Sequence, residues 1–471
     1  MRRGVQLQDK KRVYFLAICG TAMASLAAMM KAQGHDVYGS DEDVYPPMSD
    51  FLAEQKIPVF SGFQSKNLTP APDLVVVGNV ISRGNVEIEE ILNRHIPYIS
   101  LPDALREFVI RGKRSIVVTG THGKTTTTAM LAWVFECAGR KPGFMIGGLP
   151  TDFGRGFQLG EGEDFIVEGD EYDSAYFDKV AKFLRYIPDI GVINAIEYDH
   201  ADIYGSLAEI KLAFQRFVNL IPQSGFLVAC KEDENAMQVS QWAFCPVATF
   251  GSATGADWRA VNISTCARAT TFDVMHHDDL WGRATIKLPG LHNIRNALAA
   301  MAVADFVGIA RDDILRALAD FNGVKRRLEL VFTINGIDVY DDFGHHPTAV
   351  RETLTALRAQ YPNRRLWALY EPRSATSRRN VFQRAFVESF DAADIILVAP
   401  VHRPDKAPPD QLFSAQKLAE DLSAKGKISK QLSVEEIVTF AKENAGQDDI
   451  IVTFSNGPFA GIHAKLLDCL R

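Results

Sequence analysis

Residues 117–130, VVTGTHGKTTTTAM, set two glycines, a lysine and a run of threonines between an apolar strand and an apolar helix. Gly120 and Gly123 free the backbone, so that N–H groups of the loop, which includes Thr121, His122 and Thr126, can converge on phosphate oxygens. The N-terminus of the following helix adds a dipole that favours anions. Lys124 supplies charge for the outer phosphates, and the Thr125 hydroxyl a ligand for Mg²⁺. The common G-x-x-x-x-G-K-[ST] spacing needs glycine at position 118, where this chain has Val118. A plain glycine turn opening a helix is the competing reading; the strand SIVV before the turn and the apolar helix after it favour phosphate binding.

Two acidic clusters follow strands that would end at the same sheet edge. VEGDEYDS carries Glu168, Asp170, Glu171 and Asp173, and NAIEYDHADIYG carries Glu197, Asp199, His200 and Asp202. Ligands of doubly wound sheets collect at the carboxyl ends of the strands. An oxygen of the first cluster, Glu168 foremost, could therefore share a Mg²⁺ with the phosphates, and His200 could hold a second metal, although Mg²⁺ prefers oxygen. A solvated acidic turn and a structural histidine are the plain alternatives. Further on, Asn293 and Asn296 of LHNIRNA stand three apart on one helix face, suited to an adenine edge. KRRLEL brings Arg326 and Arg327, and YDDFGHHP brings Asp341 to Pro347. For these three motifs, buried capping or turn roles compete equally.

These residues must be positioned by sheets. Short apolar runs (RVYFLAI, HDVYGS, DLVVVGN) alternate with helical stretches over 1–112. Strands ending in acids follow the glycine loop over 113–325, with TTFDVM and GRATIKL as a small antiparallel patch. A third α/β unit fills 326–471. At 471 residues, three domains is the natural division. Lysine and arginine total 51 against 58 acids, which argues against a nucleic-acid partner. Six scattered cysteines without a C-x-x-C pair fit a reducing, cytoplasmic setting. KKRVYFLAICGTAMAS has the composition of a leader, yet continues coherently as strand, turn, helix and second strand through Asp41. No later run is long and apolar enough to suggest a membrane span, and no obligate protein partner is evident.

Taken in order, TGTHGKTTT, EGDEYD, NAIEYDHAD, LHNIRNA, RRLE and DDFGHHP resemble the motifs of the Mur ligase family, the ATP-dependent amide-forming enzymes of peptidoglycan assembly, over essentially the whole chain. The resemblance implies a Rossmann-like UDP-binding domain, a central P-loop ATPase domain and a C-terminal Rossmann-like ligase domain that closes over ATP. It implies ATP and Mg²⁺ as cofactors and UDP-N-acetylmuramate as a substrate. YPPMSD, GDEYDSAYFDK, YEPRS and SNGPFAGIHAKLL point to the recycling branch, which attaches a murein tripeptide; the branch that adds free L-alanine is the alternative. Carried over by motif, Lys124 meets phosphates, Thr125 and Glu168 the first Mg²⁺, and His200 the second. Asn293 and Asn296 lie on the adenine side, and Arg327 and Asp342 meet the nucleotide between domains. Gly20, Thr21, Asp41 and His345 would serve the UDP-sugar, and Arg373 a carboxylate of the peptide. The turn CGTAMAS has fewer glycines than the alanine-adding branch. Some relatives carbamylate a lysine near the second metal; the comparable position here is Gln215, with Lys211 one turn earlier, so carbamylation is not expected. A P-loop switch without ligase activity is the reading from another class.

Overall fold

In the computed structural model, which describes residues 10–266 and 269–471, valine- and isoleucine-rich runs alternate with helices and assemble into three large sheets and one two-stranded ribbon among the described residues. The first sheet is wholly parallel, in the order Val59–Ser61, Asp36–Asp41, Arg12–Leu16, Leu74–Val77, Tyr98–Ser100. Strand order reverses at Arg12–Leu16. Gly20 and Thr21 therefore sit just beyond its carboxyl end, and Asp41 ends the neighbouring strand, at the crevice where such sheets take ligands. The segment with leader-like composition thus forms the central strand, and the helix Thr21–Ala32 follows it. Expected to reach Ile18, the strand stops at Leu16. Ala17 turns the chain with a φ of 67°, and the N–H groups of Ala17 and Ile18 both reach Ser40 O, at 2.9 and 3.0 Å.

In the second sheet Gly143–Met145, Asp164–Glu168, Arg114–Thr119, Ile190–Ile193, Phe226–Cys230 and Val247–Gly251 run parallel. Trp258–Cys266, Ala269–His276 and Asp279–Ile286 extend it as a meander, so the anticipated antiparallel patch is continuous with the main sheet. The strand Arg114–Thr119 runs on through fully buried Val118, which is why the phosphate turn begins only at Gly120.

The third sheet orders Glu329–Ile334, Ile337–Asp342, Ile450–Phe454, Leu366–Tyr370, Ile395–Val398 and Ile428–Gln431, parallel except for the first pair. Its two edge strands have no counterpart in the sequence reading. Both are half-exposed and mixed in polarity, so they lack the apolar run that announces a buried strand.

The three units are joined unequally. One buried apolar cluster runs from Val13, Phe15 and Leu105 of the first unit into Phe165, Phe183 and Phe214 of the second. Phe51 meets Phe157 edge-on at 5.6 Å, and Tyr98 meets Phe177 at 5.0 Å. The apolar clusters of the third unit contain, among the described residues, only side chains from Leu328 onward. Among the described residues the third unit meets the middle one through hydrogen bonds, ion pairs such as Arg295–Glu352, and the ring contact of His122 with His346 at 4.7 Å. No helix among the described residues is long and apolar enough to cross a membrane.

Candidate active site between the middle and C-terminal units

Between the strand Arg114–Thr119 and the helix Lys124–Cys137, the chain turns through Gly120 (φ 121°) and Gly123 (φ 77°). A Cβ at Gly120 would fall 2.9 Å from the Ala195 backbone, and one at Gly123 would fall 2.5 Å from Asn296 Oδ1. Both glycines are thus required by sterics as well as by φ. No described side chain caps the helix, so its first N–H groups keep their donors for an anion.

Lys124 Nζ donates to Gly120 O at 2.6 Å and to Glu171 at 2.8 Å. Burial pushes its pKa down, but Glu171, with Asp170 and Glu168 behind it, outweighs that and the net shift is upward, so the lysine stays charged. Glu168 ends its strand with Oε1 accepting the Thr125 hydroxyl at 2.8 Å and Oε2 accepting the Gly147 N–H at 2.7 Å. Burial, then Asp170, raise the Glu168 pKa against the pull of Lys124. Arg327 Nη2 donates to Thr125 Oγ1 at 3.1 Å from across the cleft.

The four acids of VEGDEYDS therefore separate. Glu168 faces Thr125 and Glu171 neutralises Lys124, whereas Asp170 lines the cleft and pairs with Lys182 at 3.5 Å. Asp173 lies in the ribbon Asp173–Ala175 and Asp178–Ala181, paired with Lys179 at 2.6 Å.

The end of the Ile190–Ile193 strand brings the second cluster to the same place. His200 is buried with a φ of 54°, its ring centroid 4.1 Å from that of Tyr172. Asp199 Oδ1 accepts the His200 N–H at 2.7 Å and the Thr376 hydroxyl at 2.7 Å, while His345 Nε2 stands 3.8 Å from Oδ2. Burial would raise the Asp199 pKa; His345, His200 and His346 together hold it well below the usual carboxylate range. Glu197 accepts the Thr348 hydroxyl at 2.8 Å and faces His122 at 3.4 Å and His346 at 3.3 Å. Against the opposing effect of burial, His122 leads the groups that draw its pKa down to about 2. The ring of His346 is spent on hydrogen bonds: Nδ1 accepts the Thr348 N–H and Nε2 meets Tyr198 O, each at 3.3 Å.

Asn293 donates to Pro289 O at 2.8 Å, Asn296 donates to Asn293 Oδ1 at 3.3 Å, and Thr127 donates to Asn296 Oδ1 at 3.1 Å. The pair thereby ties the helix Leu291–Phe306 to the phosphate-loop helix. Asp342 accepts the N–H groups of Leu328 at 2.8 Å and Gly344 at 2.7 Å, which shapes the turn ahead of His345.

Thr121 to Thr126, with Glu168, His200, Asn293, Asn296, Arg327 and Asp342, line one cleft of about 470 Å³. Gly120 adjoins it through the loop. His345 lines it too, beside Asp199, whereas Gly20, Thr21 and Asp41 belong to the crevice of the first sheet, where Asp41 accepts the Cys19 N–H at 2.8 Å. Arg373 follows the strand Leu366–Tyr370; its guanidinium lies on Gly457, whose Cβ would fall 2.1 Å from Arg373 Nε. Neither Lys211 nor Gln215 lines the cleft, and Lys211 donates to Gln238. Thr376 and Arg379 lie in the stretch EPRSATSRR and bond the segment around His200; the sequence assigned neither a role, because only a partner across the fold gives them one.

Three family profiles match the chain in order: the Mur ligase family catalytic domain at residues 12–113, the Mur ligase middle domain at 118–304, and the Mur ligase glutamate ligase domain at 326–457. The chain is 39% identical over 461 residues, 98% of each chain, to the UDP-N-acetylmuramate–L-alanyl-gamma-D-glutamyl-meso-2,6-diaminoheptandioate ligase of Escherichia coli (strain K12). It is 30% identical over 466 residues, 98% of this chain and 99% of the other, to the UDP-N-acetylmuramate–L-alanine ligase of Caldanaerobacter subterraneus subsp. tengcongensis. The solved structure of a murein peptide ligase from Psychrobacter arcticus 273-4 superposes with a TM-score of 0.71 at 36% identity, covering 98% of both chains. With all three domains present in order and full-length relatives at this identity, the chain belongs to the Mur ligase family.

Proposed function

We propose that the protein is an ADP-forming ligase that joins L-alanyl-γ-D-glutamyl-meso-diaminopimelate to UDP-N-acetylmuramate during peptidoglycan recycling in the cytoplasm. The observation that carries this reading is the meeting, in one cleft, of the phosphate loop, the Thr125–Glu168 pair at 2.8 Å and His200. The higher identity to the tripeptide-adding relative, 39% against 30% for the alanine-adding one, favours the tripeptide as the amine.

In this reading the glycine turn and the helix N-terminus cradle the triphosphate, with Lys124 against its outer charge. Asn293 and Asn296 face the adenine, and Arg327 and Asp342 hold the nucleotide from the C-terminal unit. Thr125 and Glu168 offer hard oxygen donors of the kind Mg²⁺ takes; His200, a nitrogen donor, suits a second metal less closely. Bound there, Mg²⁺ would neutralise phosphate charge and make the γ-phosphorus more electrophilic. Gly20, Thr21 and Asp41 hold the UDP moiety. The atom nearest to a Cβ at Gly20 would be 3.8 Å away, so the fold itself does not demand glycine there and the space suits a close diphosphate. His345, placed beside Asp199, would approach the sugar acid from the cleft side.

The lactyl carboxylate attacks the γ-phosphorus and ADP leaves, giving an acyl phosphate. The peptide amine then adds to the acyl carbon, the tetrahedral intermediate loses a proton, and phosphate departs as the amide forms. Arg373 orients the incoming peptide through a carboxylate. Two anions must meet in the first step, which is why cationic and metal-holding groups crowd this cleft.

Amine competition tests the reading. With UDP-N-acetylmuramate and Mg·ATP, ADP release and product mass should follow the tripeptide. Faster release with free L-alanine would move the protein to the alanine-adding branch, and hydrolysis without an amide product would make it a nucleotide switch.

A further inference from the structure

The N–H groups of Ile203 and Tyr204 hold the His200 carbonyl locally, at 2.8 and 3.0 Å, and the hydrogen bonds to the two residues flanking His200 include three from a different domain. Thr376 Oγ1 donates to Asp199 Oδ1 at 2.7 Å, the Ala201 N–H points to Thr376 Oγ1 at 3.4 Å, and Arg379 Nη1 donates to Ala201 O at 2.7 Å. The residues on both sides of His200 are therefore gripped by one segment of the C-terminal unit. His200 itself has a left-handed φ of 54°, a region that residues with a Cβ adopt uncommonly, histidine more readily than most. The same Asp199 oxygen that takes the Thr376 hydroxyl also accepts the His200 N–H at 2.7 Å. Thr376 and Asp199 are both buried, at 3% and 5% exposure, so water is a poor substitute for either partner.

The gripping segment is braced within itself. Ser377 Oγ accepts the N–H groups of Arg373 at 3.0 Å and Ser374 at 2.8 Å, so Arg373 and Thr376 belong to one rigid turn. The unit that carries this turn shares no buried apolar cluster with the middle unit among the described residues. A boundary of polar contacts opens at low cost, and the grip is made only when the unit docks.

We infer that Thr376 and Arg379 are positioning residues which couple the incoming peptide to the metal: the turn that engages the peptide at Arg373 also sets the backbone that aims His200. The inference rests on the roles proposed above for Arg373 and His200. Its chemical use is timing. An acyl phosphate formed before the amine arrives is exposed to water, and a metal site completed by the docked peptide turn delays activation until the nucleophile is in place. Coupling of this kind is reciprocal, so the metal–nucleotide complex should tighten peptide binding by the same factor.

The test is calorimetric titration of Mn·ADP into the full-length protein, with and without the tripeptide. In the unsubstituted protein the tripeptide is expected to tighten Mn·ADP about tenfold. Thr376→Val should bring that factor to about one while leaving metal-free peptide affinity unchanged, and Arg379→Met should reduce it. Thr376→Ser, which keeps the hydroxyl, should retain it and so separates the hydrogen bond from general damage to the fold. Full coupling in Thr376→Val, or none in the unsubstituted protein while His200→Ala still weakens Mn·ADP, would overturn the clamp alone. Unchanged Mn·ADP affinity in His200→Ala would overturn the metal assignment and the clamp with it.

Discussion

At the scale of single residues, Gly123 is a tightly constrained position in the cleft. Its φ of 77° and the 2.5 Å approach of a hypothetical Cβ to Asn296 Oδ1 leave an alanine no relaxed position. Gly123→Ala should weaken ATP binding by about tenfold or more, since a clash of this kind displaces either the loop or Asn296. Equilibrium nucleotide titration reads this directly, and unchanged affinity would remove the loop from the account. Lys124→Ala and Glu168→Ala are expected to abolish turnover while the UDP-sugar still binds the first unit; loss of sugar binding in both would contradict the assignment of that substrate. Such residues were legible in the sequence because glycine, lysine and threonine at fixed spacing after a strand have few other uses. The acids were less so. Glu168, Asp170, Glu171 and Asp173 are equivalent as letters, and only the fold sends one to Thr125, one to Lys124 and one to a lysine of the ribbon.

At the scale of elements, the helix Pro347–Gln360 begins at His346, whose side chain caps it. Burial, then His122, lower the pKa of that imidazole from 6.5 to about 3, against the opposing pull of Asp199 and Glu197. The native state therefore binds fewer protons than the unfolded chain between these values. Its stabilising contribution is complete above pH 6.5 and is lost as the pH falls toward about 3. Urea unfolding should show stability of the C-terminal unit declining with acidification across that window. His346→Gln, which keeps an acceptor but does not titrate, should flatten the decline; an unchanged pH profile would place the imidazole outside this linkage. Buried parallel strands such as Ile190–Ile193 and Ile395–Val398 were readable as continuous apolar runs. The edge strand Glu329–Ile334 was not, because half of its surface faces solvent and its alternation is broken by a register shift at Leu330 to Phe332.

At the scale of the molecule, the decisive feature is the unequal joining of the three units. The first and second share an apolar core that holds them as one body, and the third meets the second through hydrogen bonds and ion pairs such as Arg295–Glu352 at 2.6 Å. Closure on substrates should therefore move residues 326–471 against a fixed pair. Small-angle scattering is expected to show contraction when nucleotide and UDP-sugar are added, while a distance probe between the first two units stays constant. A change in that distance would contradict the division. Three units could be counted from composition and alternation along the chain. Which boundary is stiff could not, since it depends on whether Phe51 and Tyr98 find Phe157 and Phe177 in space.

The account turns on a sugar carboxylate being activated by phosphoryl transfer in the cleft that contains Lys124, Glu168 and His200. UDP-N-acetylmuramate carrying heavy oxygen in its lactyl carboxylate, turned over with ATP and the tripeptide, measures this most directly. One labelled oxygen should pass into each phosphate released, because the bond to the acyl carbon breaks as the amide forms. Phosphate free of label, with the amide still made, would contradict the acyl phosphate and the role assigned to the cleft.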